Sequence, residues 1–420
     1  MFRDLDPFSP AWREDPYPLY RHLRDNAPVH HVASLDAWCV SRYEDAQAVL
    51  KDPETFSSRA MFSLLANNGA DGVNLSWAGI KLAVHMLIKL RISPWTFSRA
   101  RNLIASDGAR HRSMRNIVNS GFTPRRVACS EARIQELVDE CLVPLREGGE
   151  FELVRDLAIP LPVTIIAELL GVEKERHGDF KRWSETIIHN TSGPGRKDPF
   201  NAPFIQTMEE IFAYFDEAIL ARHANPTDDL IGTILASQQG EADPLSVFEM
   251  IQFIVLLMLA GNETTTNLIG NGTAALLANP EELQRALDDP GLAAQIVEET
   301  VRYDPPVQNV FRTATETTEI RGVTIPKGAY VAVLVGSANR DERRFPDPDR
   351  FDLSRDTRGH LGFGLGEHFC LGSSLARLEG RLAFQALVPE LVGVMPPKET
   401  GRIDSFLVRG VARMPLRMEA

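Results

Sequence analysis

The sequence is poor in the features that mark secreted, membrane-spanning and nucleic-acid-binding proteins. Its 420 residues include four cysteines, none in a C-x-x-C pair, so neither a disulfide framework nor a zinc site is indicated. The longest apolar stretch, Phe253–Ala260, is well short of the roughly 20 residues that span a bilayer, and the first residues lack the apolar core of a signal peptide. Acidic residues outnumber basic ones, 57 to 45, and this net charge of −12 argues against a nucleic-acid partner. We therefore expect a cytoplasmic protein without a transmembrane anchor.

No internal repeat and no Gly/Ser linker divides the chain, so we predict a single domain over residues 1–420. Apolar residues at i, i+3 and i+4 predict many helices, and the longest is Leu245–Ala278, with Asp243 as N-cap and Pro244 at the first helical position. The segments Ile320–Ile325 and Tyr330–Val335 flank a turn and predict two short strands. The predicted fold class is mainly α with a minor β portion.

The glycine-rich run Phe363–Gly372 carries Cys370 just before a predicted helix, Leu371–Val388. A lone cysteine is usually a small buried hydrophobe. In this run, however, the glycines let the backbone turn tightly and approach a flat group closely. The start of the helix supplies N–H groups and a positive dipole end, which stabilise a thiolate. A thiolate presented in this way suits axial ligation of haem iron.

The same run matches the pattern F-x-x-G-x-x-x-C-x-G at Phe363, Gly366, Cys370 and Gly372, and through it the chain resembles the cytochrome P450 family. The resemblance extends over nearly the whole chain. It implies the cytochrome P450 fold, with haem between the long central helix and the helix that follows the cysteine loop. It also implies haem b (iron protoporphyrin IX) as cofactor, with Cys370 as the ligand of the iron. The implied haem contacts in this loop are Phe363, Gly364, His368 at a propionate, and Gly372.

The segment Ala260–Thr265 interrupts the longest apolar helix with Glu263 and two threonines. One interpretation is a polar turn that faces solvent; the other is buried polarity, which needs a functional reason. The segment matches the family pattern A-G-x-[DE]-T-T at every position. The resemblance then places Ala260 and Gly261 beside the haem, where the helix opens for dioxygen and water. It assigns Glu263 and Thr264 to proton delivery to the bound oxygen.

Several charged residues have either a surface interpretation or a role beside the haem. Glu299 and Arg302 have i, i+3 spacing, which alone means little. The resemblance makes them the family's structural Glu–Arg pair, for which Arg350 is the predicted third member. His111 and Arg115 match the family's H-x-x-x-R, and Arg312 follows at the position of a further propionate-binding arginine.

The resemblance also indicates which residues contact the substrate. The predicted pocket residues are Trp95, Phe97, Met258, Val307, Asn309, Val310, Phe406 and Leu407. Aliphatic and aromatic side chains dominate these stretches, which favours a lipophilic substrate. The segment Arg59–Ser106 is longer than its usual counterpart. Its basic amphipathic part predicts a partly buried helix, a lid over the substrate, or a patch that contacts a membrane or a partner.

The implied function is monooxygenation: one oxygen atom of O2 enters a small lipophilic substrate, most often as hydroxylation, and the other leaves as water. The sequence has no flavin, nicotinamide or iron–sulfur motif, so electrons would reach it from NAD(P)H through a ferredoxin and a ferredoxin reductase. A candidate docking patch comprises Arg112, Arg125, Arg126 and Arg377, and a monomer is the default. The alternatives are epoxidation, desaturation, C–C coupling or peroxygenase chemistry on the same cofactor, and, more distantly, a non-catalytic haem sensor or carrier.

Overall fold

The computed structural model describes residues 9–60, 102–191, 201–394 and 400–416, together with Ile88. The chain forms two compact units, and both are assembled from segments that are not consecutive in sequence. The first unit comprises Met1–Phe56, Pro124–Pro162 and Glu263–Ala420, and the second comprises Ser57–Thr123 and Val163–Asn262. Predicted residues Trp95 and Phe97, and most of Arg59–Ser106, lie outside the described residues. The prediction of a single domain stays a prediction.

Helices dominate the first unit. Its α-helices are Pro10–Glu14, Tyr17–Asn26, Tyr43–Lys51, Pro124–Cys129, Glu131–Arg146, Pro280–Asp288, Ala293–Tyr303, Val335–Ala338 and Ser373–Leu387, and Pro160–Leu169 begins in it. Short 3-10 turns follow at Ala33–Leu35, Pro290–Leu292, Gly366–His368 and Val388–Leu391, and Val154–Ala158 is a π-helical turn.

Two of these helices position the cysteine loop. We call Ala293–Tyr303 the Glu–Arg helix and Ser373–Leu387 the loop helix. The two pack against each other, and the loop helix also packs on Glu131–Arg146. The Glu–Arg helix ends before Asp304-Pro305 because a residue that precedes proline is forced away from helical backbone angles.

The β portion of the first unit is one main sheet with two small ribbons. The main sheet has the order Val29–Val32, Ala37–Val40, Tyr330–Leu334, Asn309–Ala314 and Phe56–Ser57. Ala37–Val40 runs parallel to Tyr330–Leu334, which in turn pairs antiparallel with Asn309–Ala314. The ribbons pair Phe151–Glu152 with Pro415–Leu416 and Thr318–Ile320 with Val323–Ile325.

The single strand predicted over Ile320–Ile325 is wrong. Arg321 and Gly322 both have positive φ, 51° and 77°, and turn the chain back on itself between the two strands of a hairpin. Two consecutive left-handed residues form the two-residue turn whose twist matches that of a hairpin. Arg321 is held there by the carboxylate of Asp45, at 2.6 Å.

The second unit is helical among its described residues. Its α-helices are Gly108–Asn119, His177–Thr191, Ala202–Ala224 and Leu230–Ser237, and it has 3-10 turns at Ser120–Phe122 and Lys174–Arg176. The longest helix of the chain, Val247–Ala278, begins in this unit, and we call it the central helix.

The central helix begins at Val247, and its cap, Ser246, lies three residues after the predicted N-cap, Asp243. Ser246 accepts a hydrogen bond from the Glu249 N–H at 3.3 Å, and the Glu249 carboxylate accepts one from the Ser246 N–H at 2.9 Å. This reciprocal pair satisfies two N-terminal amide groups at once, which explains why the cap lies at Ser246. By length and composition the helix could cross a membrane, and the core helix of a soluble protein can meet the same criteria; 44% of its apolar window is buried within the structure.

Candidate functional site

Cys370 lies on a short turn that the backbone holds on both sides. Its N–H donates to the Phe363 carbonyl oxygen at 2.8 Å, and its own carbonyl accepts from Ser373 at 3.4 Å. The loop helix begins at Ser373, with Gly372 as its N-cap. Cys370 forms no disulfide bond with another described cysteine, and its exposure is intermediate. The thiol therefore stands just before the positive end of a helix, a position that in general favours a thiolate.

Two glycines of this loop have the backbone geometry that only glycine adopts easily. Gly364 and Gly366 have φ of 71° and 72°. A Cβ at Gly366 would also lie 2.9 Å from the Leu50 carbonyl oxygen, too close for any side chain. Around Gly372, by contrast, the structure has open space within 4 Å. These positions explain the glycine spacing of the motif: two residues form the turn, and the third leaves room beside the cysteine.

Glu299 and Arg302 form a fully buried ion pair in the Glu–Arg helix. Their side chains are 1% and 0% exposed, and the guanidinium binds the carboxylate through two hydrogen bonds of 2.6 and 2.7 Å. Arg302 also donates to the carbonyl oxygens of Pro348 and Asn339, at 2.8 and 3.2 Å. The pair therefore fixes the irregular segment that leads to the cysteine loop.

The third arginine of this cluster is Arg355, so the prediction of Arg350 is wrong. The Arg355 Nε lies 3.3 Å from Glu299 Oε1, and its side chain is 8% exposed. The Arg350 side chain is 62% exposed and contributes only its backbone carbonyl to Arg302, at 3.2 Å. We call Glu299, Arg302 and Arg355 the meander cluster.

The middle of the central helix presents an accessible face among buried neighbours. Ala260 is exposed, and Gly261, Glu263 and Thr264 are half-buried, whereas Asn262 and Thr265 are buried. Residues i, i+3 and i+4 share one helix face, so Ala260, Glu263 and Thr264 lie together on that face. The acid and the hydroxyl that the motif predicts are therefore available to a bound group.

Gly261 lies where the central helix is approached closely from within the second unit. A Cβ there would meet the Ile166 side chain at 2.3 Å. Met258 is 0% exposed. It lies two positions before Ala260, and a helix turns by about 200° over two residues, so Met258 occupies the opposite face. Met258 is thus a core residue, and the prediction that it lines the substrate pocket is wrong.

Sequence reasoning missed Glu379 in the loop helix. This carboxyl group is 2% exposed, and the Thr265 hydroxyl hydrogen bonds to it. Burial raises its pKa to about 8, and Oε1 has no hydrogen-bond partner within the described part of the chain. A signal was present, because Glu379 follows Leu375 by four residues and precedes Leu382 by three, on the apolar face of the helix.

The predicted propionate ligands are divided equally between the two units. In the first unit, Arg312 is 5% exposed in the strand Asn309–Ala314 and donates to the Phe311 carbonyl at 2.8 Å. His368 is in the same unit, half-buried in the cysteine loop. In the second unit, the helix Gly108–Asn119 carries His111, which is 1% exposed, and Arg115, whose Nε donates to the Asn119 side chain at 3.1 Å.

Two of the predicted pocket segments meet in the first unit although about 100 residues separate them. Val307 forms a β-bridge with Val408, and the Gln308 N–H donates to the Leu407 carbonyl at 2.9 Å. The Asn309 amide donates to the Phe406 carbonyl at 2.6 Å. Val310 and Leu407 remain half-buried, so this junction offers apolar surface, whereas Asn309 is 0% exposed.

The composition of these sites fits a haem. They include a half-exposed thiol just before a helix start and a glycine turn with open space beside it. They also include buried or half-buried arginine and histidine side chains, and an acid–threonine pair on an accessible helix face. A thiolate suits the iron, and cationic donors suit the two carboxylates of the porphyrin.

Comparison with known proteins gives matches over nearly the whole chain. A family model described as Cytochrome P450 matches residues 89–415. Cytochrome P450 107B1 of Saccharopolyspora erythraea is 35% identical over 422 residues, which cover 99% of this chain and 98% of the relative. Vitamin D(3) 25-hydroxylase of Pseudonocardia autotrophica is 35% identical over 419 residues, covering 98% and 96%. The solved structure of CYP109Q5 from Chondromyces apiculatus has a TM-score of 0.85 and 36% identity, and the match covers all of both chains.

Proposed function

Because this chain belongs to the cytochrome P450 family and is a monooxygenase, we propose that it hydroxylates a lipophilic organic substrate, with Cys370 as the ligand of haem b. The family implies haem iron, the use of O2, a source of electrons outside the chain and a lipophilic substrate. The single observation that carries the residue assignment is the accessible Cys370 thiol at the start of the loop helix.

When bound, the haem supplies the iron at which dioxygen is activated. Cys370 would hold that iron from the loop side, and the Phe363 carbonyl keeps its backbone in place. His111, Arg115, Arg312 and His368 would pair with the propionates, Ala260 and Gly261 would lie against the ring, and Phe363, Gly364 and Gly372 would form the wall around the sulfur. Two buried members of this set, His111 and Arg312, suit charged or strongly polar partners that are shielded from water.

Glu263 and Thr264 would hold and move the protons that the reaction consumes. Both lie on the accessible face of the central helix, one residue apart. A carboxyl group can take a proton from solvent, and a hydroxyl can pass it on while it accepts another. Thr265, the residue after Thr264, is hydrogen-bonded to the Glu379 carboxyl group. Glu379 keeps its proton at neutral pH because burial raises its pKa to about 8.

The substrate would contact Val307, Val310, Phe406 and Leu407 at this junction, which the Asn309 amide holds together, as well as Trp95 and Phe97. The apolar character of this junction supports a lipophilic substrate. The vitamin D(3) hydroxylase among the relatives acts, by its name, on a molecule of that kind.

Electrons would come from NAD(P)H through a ferredoxin and a ferredoxin reductase, and the enzyme would work as a cytoplasmic monomer of one domain. Arg125 is exposed at the start of the helix Pro124–Cys129, where it suits an acidic donor. Arg377 is half-exposed but already pairs with Glu298, so its place in the docking patch would require that pair to be shared.

The substitution Thr264→Ala tests the proton role. With a surrogate ferredoxin chain and a panel of lipophilic compounds, we expect the yield of product to fall by roughly 10²-fold, the contribution typical of a positioned proton donor. Oxidation of NAD(P)H should continue and hydrogen peroxide should accumulate. The measurement is product and peroxide formed per NAD(P)H consumed.

Thr266→Ala is the matched control, because the Thr266 hydroxyl is engaged by the Ala158 carbonyl at 2.9 Å. This variant should retain the coupling of the parent. Equal coupling in Thr264→Ala and the parent would contradict the assignment, and failure of the parent to oxygenate any compound in the panel would contradict the proposed lipophilic substrate.

A further inference from the structure

A second ion cluster is centred on a glutamate of the Glu–Arg helix. It is next to the meander cluster, but its other two members flank the cysteine loop. It consists of Glu298, His360 and Arg377, which we call the loop clamp. The Glu298 Oε2 lies 3.0 Å from His360 Nε2 and 3.2 Å from Arg377 Nη2, and Oε1 accepts a second bond from Arg377 Nε. One carboxylate thus joins the chain before the loop to the helix after it.

The histidine of the loop clamp is buried and has a defined tautomer. Its side chain is 5% exposed. The Nδ1 atom accepts from the Gly362 N–H at 3.2 Å, so the proton of the neutral ring is on Nε2 and is donated to Glu298. His360 is therefore bound both to the backbone just before Phe363 and to the Glu–Arg helix.

The arginine of the loop clamp reaches Phe363 from the other side. The Arg377 Cζ lies 4.3 Å from the centre of the Phe363 ring, which is the geometry of a cation–π contact. The His360 ring lies 5.7 Å from the same ring. Phe363 is thus contacted by both partners of Glu298, while its carbonyl oxygen accepts the N–H of Cys370.

We propose that Glu298 is a positioning residue for Cys370, acting through His360, Arg377 and Phe363 to fix the backbone that presents the sulfur. This rests on the proposed role of Cys370 as the haem ligand. Burial alone would raise the pKa of Glu298, but the hydrogen bonds from His360 and Arg377 outweigh it and hold the pKa at about 2. The carboxylate therefore stays ionised, and the strong form of the clamp is present throughout the neutral range.

The consequence concerns the bond between sulfur and iron. The direction of the Cys370 side chain follows its backbone, and the backbone amides around a thiolate set its basicity and its tendency to take up a proton. Loss of the loop clamp should loosen Phe363 and with it the hydrogen bond to Cys370. A looser thiolate is protonated or displaced more easily.

The substitution Glu298→Gln in the purified holoenzyme tests this. Groups that orient a metal ligand typically contribute 10–100-fold to metal binding, so we expect the sulfur-ligated ferrous–carbonyl band to decay roughly tenfold faster than in the parent. The reduction potential of the iron should shift as well. Both readouts respond to the sulfur and do not respond to a change in a remote surface.

Glu131→Gln is the matched control. Glu131 pairs with Arg381 at 2.6 Å, and Arg381 lies one turn beyond Arg377 on the loop helix. Among the described residues, the arginine that stacks on Phe363 is Arg377 and not Arg381. This variant should keep the band and the potential of the parent. Equal decay in Glu298→Gln and Glu131→Gln would overturn the proposal.

A second variant covers the case in which Glu298→Gln does not fold. Arg377→Lys keeps a positive charge beside Glu298 but removes the planar group that stacks on Phe363. It should also speed the decay of the band, and decay at the parent rate would overturn the proposal. If the parent itself lacks the sulfur-ligated band, the role of Cys370 fails instead, which separates the two hypotheses.

Discussion

The meander cluster and the loop clamp are anchored on neighbouring glutamates of one helix, yet the two regions differ in what they hold. Glu299 is 1% exposed, and its side chain meets two arginines and a backbone N–H. Glu298 is 28% exposed and meets one arginine and one histidine. Consecutive helical residues point about 100° apart, which directs one carboxylate into the core and the other toward the cysteine loop. Adjacent identical residues thus hold different segments: Glu299 the irregular segment before the loop, and Glu298 the loop itself.

The comparison predicts that substitution of Glu299 lowers the free energy of unfolding most. Glu299→Gln leaves the buried Arg302 and Arg355 without their counter-charge, and removal of one partner of a buried pair costs about 3–5 kcal/mol. The free energy of unfolding, measured with urea, should fall by that amount. Arg350→Ala is the control, because an exposed side chain away from such clusters changes stability by no more than about 0.5 kcal/mol. A loss in Arg350→Ala as large as in Glu299→Gln would restore Arg350 as the third arginine.

Glu379 sharpens the comparison between the two glutamates, because it is buried as Glu299 is but has no cationic partner among the described residues. Its pKa is raised from 4.5 to about 8, so the native state keeps a proton that the unfolded chain releases. The contribution of this proton to stability is complete below about pH 4.5 and is lost as the pH rises to about 8 and beyond. Glu379→Gln removes that loss.

We therefore expect Glu379→Gln to match the parent near pH 4, to gain on it as the pH rises from about 4.5 to about 8, and to remain more stable by a constant amount above that pH. Unfolding curves at several pH values measure this. A pH profile identical to that of the parent would show that Glu379 is ionised or exposed in the native protein.

Much of this architecture could be predicted from the sequence because it depends on local spacing. The cysteine motif, the central helix and the Glu299–Arg302 pair are each contained within one element or one loop, where neighbours in sequence are neighbours in space. The comparisons confirm the fold class and the family.

The errors occur where tertiary packing determines the outcome. Arg350 and Arg355 lie in a segment without periodicity, so only the fold decides which one turns inward. Met258 and Ala260 are both apolar, and the register of the central helix separates core from accessible face. The loop clamp joins residues far apart in sequence, and nothing local connects Glu298 with His360 or Arg377.

The central claim is that the sulfur of Cys370 binds the haem iron, and the absorption spectrum of the reduced, carbon-monoxide-bound protein tests it most directly. The parent should show the long-wavelength band of sulfur-ligated haem, and Cys370→Ser should lose it while the secondary structure measured by circular dichroism is retained. A Cys370→Ser protein that keeps the sulfur-type band would contradict the account.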